Sequence, residues 1–278
     1  MKNNMWYCDK KYIISIIILM SINIMAQTNE VGVFIGGSLF HGDIGHIKAE
    51  NSIKDTRLVY GLEFKRNFNY HFGVHLSLKR GEIYAADENS SDLFVLTRNL
   101  SFKSKISEIG LIAEFNFKPY ISRDNDYTST PFVFAGITQF YFNPQALSDN
   151  GIWYNLRPLN TEGQESDLYP TRKLYDLNGI SIPFGIGYKI KLYNMITINL
   201  KWSWRITTTD YIDDVSQTYV EDGILSNVGE QLSNQSNIAF QPGFQRGNPN
   251  NNDKYGFFGI SIMYSIKDPN KGCDNITY

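Results

Sequence analysis

"MITINLKWSWRI", residues 195–206, alternates between apolar and polar side chains without a break. The even positions from Ile196 to Ile206 are apolar, and the odd positions from Thr197 to Arg205 are polar. A period of two over this length predicts an extended strand with one apolar and one polar face. Such a strand fits either a half-buried sheet or a membrane barrel whose polar face lines the lumen.

The rest of the chain favours the barrel. The same alternation recurs in residues 58–66, 71–81, 107–118, 179–191 and 255–266. Two more runs, 31–40 and 131–142, are strand-like with ambiguous facing, which brings the predicted number of strands to eight. Short predicted turns (67–70, 121–130, 192–194) alternate with long loops (43–57, 86–99, 143–178, 207–254). An even number of strands with short turns at one end and long loops at the other predicts an OmpA-like, up-and-down transmembrane barrel of the bacterial outer membrane.

The charged residues of the strands fall almost entirely on one face. A Lys or Arg facing lipid at the midplane costs roughly 2–4 kcal/mol, so we expect these residues to face inward. They are Glu63, Lys65, Lys79, Glu108, Glu114, Lys118, Lys189, Lys201 and Arg205. Because both signs are present and an eight-stranded barrel is just wide enough for side chains to fill, we predict a plugged lumen without a channel.

Aromatic residues near the predicted strand ends indicate two interfacial girdles. Trp202 and Trp204 lie toward the long loops, and Phe115, Phe117, Tyr120 and Tyr264 lie toward the short turns.

The first residues predict export. Lys10 and Lys11 precede an apolar stretch that ends near Ala26, as in a secretory signal peptide, so we assign residues 1–26 to a cleaved signal and 27–278 to a single barrel domain with a tail at 267–278. Removal of the signal lowers the formal charge from −2 to −4, which is not typical of a nucleic-acid-binding protein. Cys273 is then the one cysteine left, so an internal disulfide is excluded, and pairing with another chain or a free thiol stays open.

Few residues suggest chemistry. Ser38, His41 and Asp43 lie near the loop end of the first strand, where a hydrolase could be built, although hydrogen bonding at a strand end accounts for them equally well. The loop 210–222 carries Asp210, Asp213, Asp214, Glu221 and Asp222 without the spacing of an EF-hand, so we expect a solvated loop rather than a bound ion. We expect His75 to join an internal polar network. We therefore assign no catalytic residues, no metal site and no cofactor.

Several stretches resemble a known family. They are "HGDIG" (41–45), "NLSFKSKISEIGLIAEFNFKPY" (99–120), "WYNLRPLNTEGQ" (153–164), "IPFGIGYK" (182–189), "TDYIDDVSQTYV" (209–220) and "RGNP" (246–249). Together with "PFVFAGI" (131–137) and "FNPQA" (142–146), they resemble, in the same order, the PorG-like outer-membrane barrel proteins of Bacteroidota. The resemblance extends from about residue 30 to 266.

The resemblance implies a non-enzymatic, structural role in the type IX secretion system, in association with the periplasmic PorK/PorN ring. The ring would then meet the short turns and the tail. The long loops would pack on one another, with Asp213 or Asp214 paired to Arg157 or Arg246, or would bind surface components of the same system. A barrel enzyme with His41 and Asp43 at its rim is the alternative, and a small-solute porin is disfavoured by the narrow, charge-paired lumen.

Overall fold

Eight long strands of this computed structural model form a closed antiparallel barrel, as the alternation predicts. The structure describes residues 28–45, 52–120, 128–193 and 195–266. Its strands are β1 (Thr28–His41), β2 (Leu58–Asn67), β3 (Phe72–Ala86), β4 (Ser101–Asn116), β5 (Ser129–Tyr141), β6 (Pro144–Leu147), β7 (Trp153–Asn155), β8 (Asn178–Tyr193), β9 (Ile196–Thr207) and β10 (Lys254–Ile266). The helices are α1 (Ser52–Asp55), α2 (Leu93–Arg98) and α3 (Asn227–Ser233), with 3₁₀ turns at Asp87–Asn89 and Arg157–Leu159. The expected signal peptide and the tail with Cys273 lie outside the described residues.

Pairing between β1 and β10 closes the barrel, with Asn29 opposite Ile266 at one end and His41 opposite Lys254 at the other. The remaining long strands pair with their neighbours in the chain, and the short strands β6 and β7 extend the edge of β4 at the long-loop end. None of the helices in the described ranges has the length and apolar character needed to cross a membrane.

The outer wall of the barrel is apolar. Ile35, Leu111, Ile137 and Ile186 are each 56% exposed, and comparable side chains cover the outer faces of the other long strands. Transfer of each such side chain out of water is favourable by about 1.5–3 kcal/mol, so a continuous band of them is expected to face lipid. Ile35 and Ile137 also resolve the facing of β1 and β5, which the sequence left ambiguous. The fold is that of a transmembrane barrel.

Two strands extend further than predicted. β3 continues to Ala86 and β4 begins at Ser101, whereas the alternation placed these boundaries at 81 and 107. In the added part of β4, Phe102 and Ile106 are buried inside and Lys105 is exposed outside. The polarity of the two faces reverses because the strand has left the lipid: its outer face meets water and its inner face packs in a core.

The expected inward charges are buried in the lumen with one exception. Lys118 lies beyond the end of β4 and is exposed, so its predicted inward facing is wrong. Tyr120 is also corrected: it is only 2% exposed and points into the barrel instead of joining the girdle. By contrast, Trp202, Phe117 and Tyr264 are 51%, 56% and 48% exposed, as expected for interfacial aromatic residues.

Candidate functional site

The lumen is filled by ion pairs centred on three glutamates. Glu114, on β4, accepts a hydrogen bond from Lys189 and lies 3.3 Å from the Lys65 ammonium group and 2.7 Å from His75 Nε2. Lys65 also lies 3.3 Å from the carboxylate of Glu30, on β1. His75 therefore belongs to an internal polar network, as expected, whereas Glu30 was not predicted because the expected strand 31–40 began one residue after it.

A second group of charges lies nearer the long loops. Glu63 accepts a hydrogen bond from Lys201 at 2.6 Å and lies 3.6 Å from Lys79. Arg205 binds Glu108 through two nitrogens, at 3.1 and 2.9 Å. Strand pairs far apart in the sequence are thus connected across the lumen, which supports the prediction of a plugged interior.

Aromatic and hydroxyl groups complete the filling. At the short-turn end, the Tyr120 hydroxyl lies 2.7 Å from the Thr197 hydroxyl. At the other end, the lumen gives way to an apolar core in which Phe140 and Tyr255 pack at 5.6 Å between ring centroids. Tyr255 also donates to Glu108 at 3.1 Å, so the apolar core and the ion pairs are continuous.

Above this core the long loops form a cap, which we define as residues 42–45, 87–100, 156–177 and 208–253. One joint of the cap is the Asp213 carboxylate, which accepts hydrogen bonds from the backbone N–H groups of Asp43 (3.1 Å), Ile44 (3.0 Å) and Val215 (3.0 Å). Asp43 in turn accepts from the Asn248 N–H at 2.9 Å. Buried backbone N–H groups require partners, and these carboxylates supply them.

A second joint connects the loop stretches on which the family resemblance depends. The guanidinium of Arg246 donates to Glu162 at 2.9 Å and to the Asp214 carbonyl at 2.7 Å. Glu162 also accepts the N–H groups of Ser216 (2.9 Å) and Gln217 (3.0 Å). In the folded cap, residues of "WYNLRPLNTEGQ", "DYIDDVSQTYV" and "RGNP" therefore contact one another.

Gly247 of "RGNP" allows this close approach. A Cβ atom at position 247 would lie 2.6 Å from the Ser216 nitrogen and 2.7 Å from an oxygen of Asp43. Only glycine fits there without moving the backbone of the neighbouring loop.

A third joint attaches the β3–β4 loop. Arg98 binds both oxygens of Asp87, at 2.7 and 2.8 Å, and donates to the carbonyls of Arg246 and Asp43, each at 2.6 Å. Asp87 also accepts from the N–H of Gly45 at 3.0 Å. Described residues of all four long loops are thereby connected in one cap.

Burial sets the protonation of the acidic cap residues. It raises the pKa of Asp213 and of Asp253 well above the ordinary aspartate value; repulsion from Asp43 adds to the shift of Asp213, and repulsion from Asp213 adds to that of Asp253. Burial likewise raises the pKa of Asp210 to about 7 and that of Asp214 to about 6, the latter against the opposing effect of Arg246. The cap consequently carries less negative charge near neutral pH than its composition indicates.

The expectation of a solvated acidic loop is therefore wrong for Asp210, Asp213 and Asp214, which are buried. Glu221 and Asp222 are exposed. Among the described residues, no group of three or more His, Cys, Asp and Glu side chains is arranged to hold a metal ion.

The predicted pairing within the cap is confirmed for Arg246, whose guanidinium lies 3.8 Å from the Asp214 carboxylate. Arg157 instead donates to the backbone carbonyl of Tyr175 at 2.7 Å.

Ser38, His41 and Asp43 do not form a triad in this structure. Ser38 is 1% exposed and donates to the Glu82 carbonyl at 2.6 Å, whereas His41 lies on the opposite, exposed face of β1. Residues separated by three positions on a strand point to opposite faces, so this separation follows from the geometry of β1. His41 and Asp43 nevertheless both line a cavity of about 440 Å³ at the edge of the cap, together with Lys254.

Solved structures with a similar fold are small barrels of low sequence identity. Ail, the attachment invasion locus protein of Yersinia pestis, solved with the heparin analogue sucrose octasulfate, is 9% identical, with 87% of this chain and 100% of that chain covered and a TM-score of 0.42. Neisserial surface protein A is 7% identical, with 86% and 97% covered and a TM-score of 0.42. OprG from Pseudomonas aeruginosa is 8% identical, with 86% and 97% covered and a TM-score of 0.41.

No curated protein matches the sequence. A family match, however, covers residues 9–275, which is nearly the whole chain. The protein belongs to the family described as Domain of unknown function (DUF6089).

Proposed function

We propose that this protein is a non-enzymatic outer-membrane component of the type IX secretion system that anchors or assembles the PorK/PorN ring. The observation that carries the scaffold role is that the interior of the barrel is blocked in two ways. Ion pairs fill the lumen, and three joints hold the cap over its mouth. A barrel whose described residues fill the lumen in this way would act through its surfaces, and this favours a scaffold over a pore.

The contacts within the cap also support the proposal. The stretches that resemble PorG-like proteins include both sides of the contact between Glu162 and Arg246, together with Asp213 and its partner Asp43. The stretches that carry the resemblance therefore meet one another in the folded cap of this chain. The assignment to this secretion system itself rests on the resemblance.

In this proposal the long loops face the cell exterior and the short turns and both termini face the periplasm, as in other bacterial barrels. A cleaved signal at residues 1–26 exports the chain. Ring proteins then dock on the short-turn end and on the tail, residues 267–278.

Deletion of the gene tests the proposal when two phenotypes are followed together. We expect loss of export of cargo that bears a C-terminal type IX signal, and loss of the ring proteins from purified outer membranes. The wild-type gene should restore both. Normal export in the deletion strain would refute a role in secretion.

A chain truncated after Ile266 tests the docking surface in the same strain. We expect it to fold, as judged by heat-dependent migration on gels, and to recover less of the ring proteins by affinity purification. Recovery of the ring proteins at the wild-type level would exclude the tail as the docking element, and the short turns would then be the remaining docking surface.

One observation favours a second candidate function, that of a barrel enzyme acting on lipid or peptide. His41 and Asp43 line the same cavity, whose volume of about 440 Å³ is within the usual range of ligand sites. Replacement of both by alanine separates the two functions: an altered lipid or peptide profile with normal secretion would support the enzyme. Normal profiles would support the scaffold.

A further inference from the structure

Three cations form a basic rim, Arg80, Lys103 and Lys105, on the outer wall of β3 and β4. Arg80 comes two positions after Leu78 on the outward face of β3, and Leu78 is 44% exposed to the lipid region. On β4, Lys105 lies four positions before Ile109, which is 49% exposed. The rim therefore begins where the apolar band ends on the long-loop side.

Strand register brings two of these cations, Arg80 and Lys105, close together. Arg80 is opposite Ser107, and Lys105 is opposite Glu82, so Arg80 and Lys105 are diagonal neighbours on one face. Diagonal Cα atoms in such a pair lie about 7–8 Å apart, a separation that lets two long side chains reach one anion between them.

Little negative charge opposes the rim. Glu82 is the carboxylate beside it, and the Arg57 guanidinium lies 4.0 Å from Glu82. Within the described ranges, neither Arg80 nor Lys105 has a carboxylate within 4.0 Å, whereas the cations of the lumen are paired. Lys103 is held against the Trp153 ring, 3.7 Å from its centroid, which leaves its charge at the same surface.

We propose that the basic rim binds the phosphate group of a lipid in the adjoining leaflet. The location of the rim indicates that the ligand is a lipid headgroup. The rim is continuous with the lipid-facing wall, at the depth where headgroups replace acyl chains. The positive charges of Arg80 and Lys105 favour an anionic phosphate whose oxygens both side chains can contact. If the long loops face outward as proposed above, this leaflet is the outer one.

A binding assay in detergent tests the inference independently of secretion and orientation. The purified chain is titrated with diphosphoryl lipid A in dodecylmaltoside micelles, and bound lipid is counted by native mass spectrometry. Parallel titrations use the same lipid with its phosphates removed, and inorganic phosphate. The variants are the doubles Arg80→Gln/Lys105→Gln and Arg80→Lys/Lys105→Arg, with Lys173→Gln as an exposed-lysine control in the cap.

Each cation near an anionic lipid surface contributes about fivefold in affinity, so the neutral double variant should bind diphosphoryl lipid A about 25-fold more weakly. The charge-preserving double variant and Lys173→Gln should bind as wild type does, and the dephosphorylated lipid should bind weakly to every variant. Equal binding of the two lipids by wild type, or of diphosphoryl lipid A by wild type and the neutral double variant, would overturn the proposal. So would equally tight binding of inorganic phosphate, which would indicate a general anion site. Heat-dependent migration on gels verifies that each variant is folded.

Discussion

Replacement of Glu114 by glutamine should destabilise the barrel more than any single change on its surface. Glu114 is fully enclosed in the lumen and contacts Lys65, His75 and Lys189. When Glu114 is neutralised, the buried ammonium groups of Lys65 and Lys189 lose a negatively charged partner. Lys65 retains Glu30 at 3.3 Å, and Lys189 retains the Asn116 side-chain oxygen at 2.6 Å.

The magnitude follows from this geometry. Removing one partner of a buried ion pair costs about 3–5 kcal/mol of unfolding free energy. Because glutamine keeps the volume and hydrogen-bonding capacity of Glu114, and because Lys65 retains Glu30, we expect about 3 kcal/mol, at the lower end of that range. Lys118→Gln, an exposed change, should cost under about 0.5 kcal/mol.

Equilibrium unfolding in urea measures the effect. The protein is reconstituted in phosphatidylcholine vesicles, and its tryptophan fluorescence, to which the lipid-facing Trp202 contributes, reports the transition. A double variant, Glu114→Gln/Lys189→Met, removes one stranded cation and should regain at least about 1 kcal/mol relative to Glu114→Gln alone. A cost for Glu114→Gln below about 1 kcal/mol, or no gain in stability for the double variant over Glu114→Gln alone, would refute the reasoning.

Three further predictions concern the cap and the tail. The pKa of Asp210 is raised from 3.8 to about 7 and that of Asp214 to about 6, so their neutral forms favour the folded cap; this contribution is complete below about pH 4 and is lost as the pH rises through 6 to 7. Limited proteolysis of residues 208–253 should therefore be faster at pH 8 than at pH 5, and Asp210→Asn should reduce the difference; an unchanged pH profile in that variant would contradict the assignment. Arg98→Met should expose the β3–β4 loop to protease by removing its bonds to Asp87 and to two loop carbonyls, with the barrel transition in urea retained, and wild-type protection would show that this joint is dispensable. Cys273 should react with a membrane-impermeant maleimide only after the outer membrane is permeabilised, and labelling of intact cells would reverse the proposed orientation.

The barrel could be predicted because lipid imposes a simple pattern. Every outward residue inside the bilayer must be apolar, so the alternation in 195–206 identifies both faces of β9 without any knowledge of its neighbours. The prediction failed where this constraint ends. Lys118 and Tyr120 lie past the last paired residue of β4, where strand parity no longer determines the direction of a side chain.

The cap could not be predicted in the same way. Asp43 and Asp213 are separated by 170 positions, and Asp43 and Asn248 by 205, so no local period records their contact. The acidic residues of loop 210–222 indicate water or an ion when they are considered alone. Their actual partners are backbone N–H groups, which every residue type except proline carries, and the sequence therefore contains no signal for the contact.

The interior of the barrel is filled by paired charges on one side of Glu108 and by aromatic side chains on the other. Inside the bilayer the outer wall takes the apolar side chains, and the inner wall is left with charges that must be neutralised by pairing, as in Glu108 with Arg205. Beyond the bilayer the outer wall faces water, and the inner wall takes the aromatic residues, such as Phe140 and Tyr255. Tyr255 belongs to both regions, since its ring packs in the core and its hydroxyl binds Glu108. A conduit would require a break at this junction, and among the described residues the hydrogen bond from Tyr255 to Glu108 lies there instead.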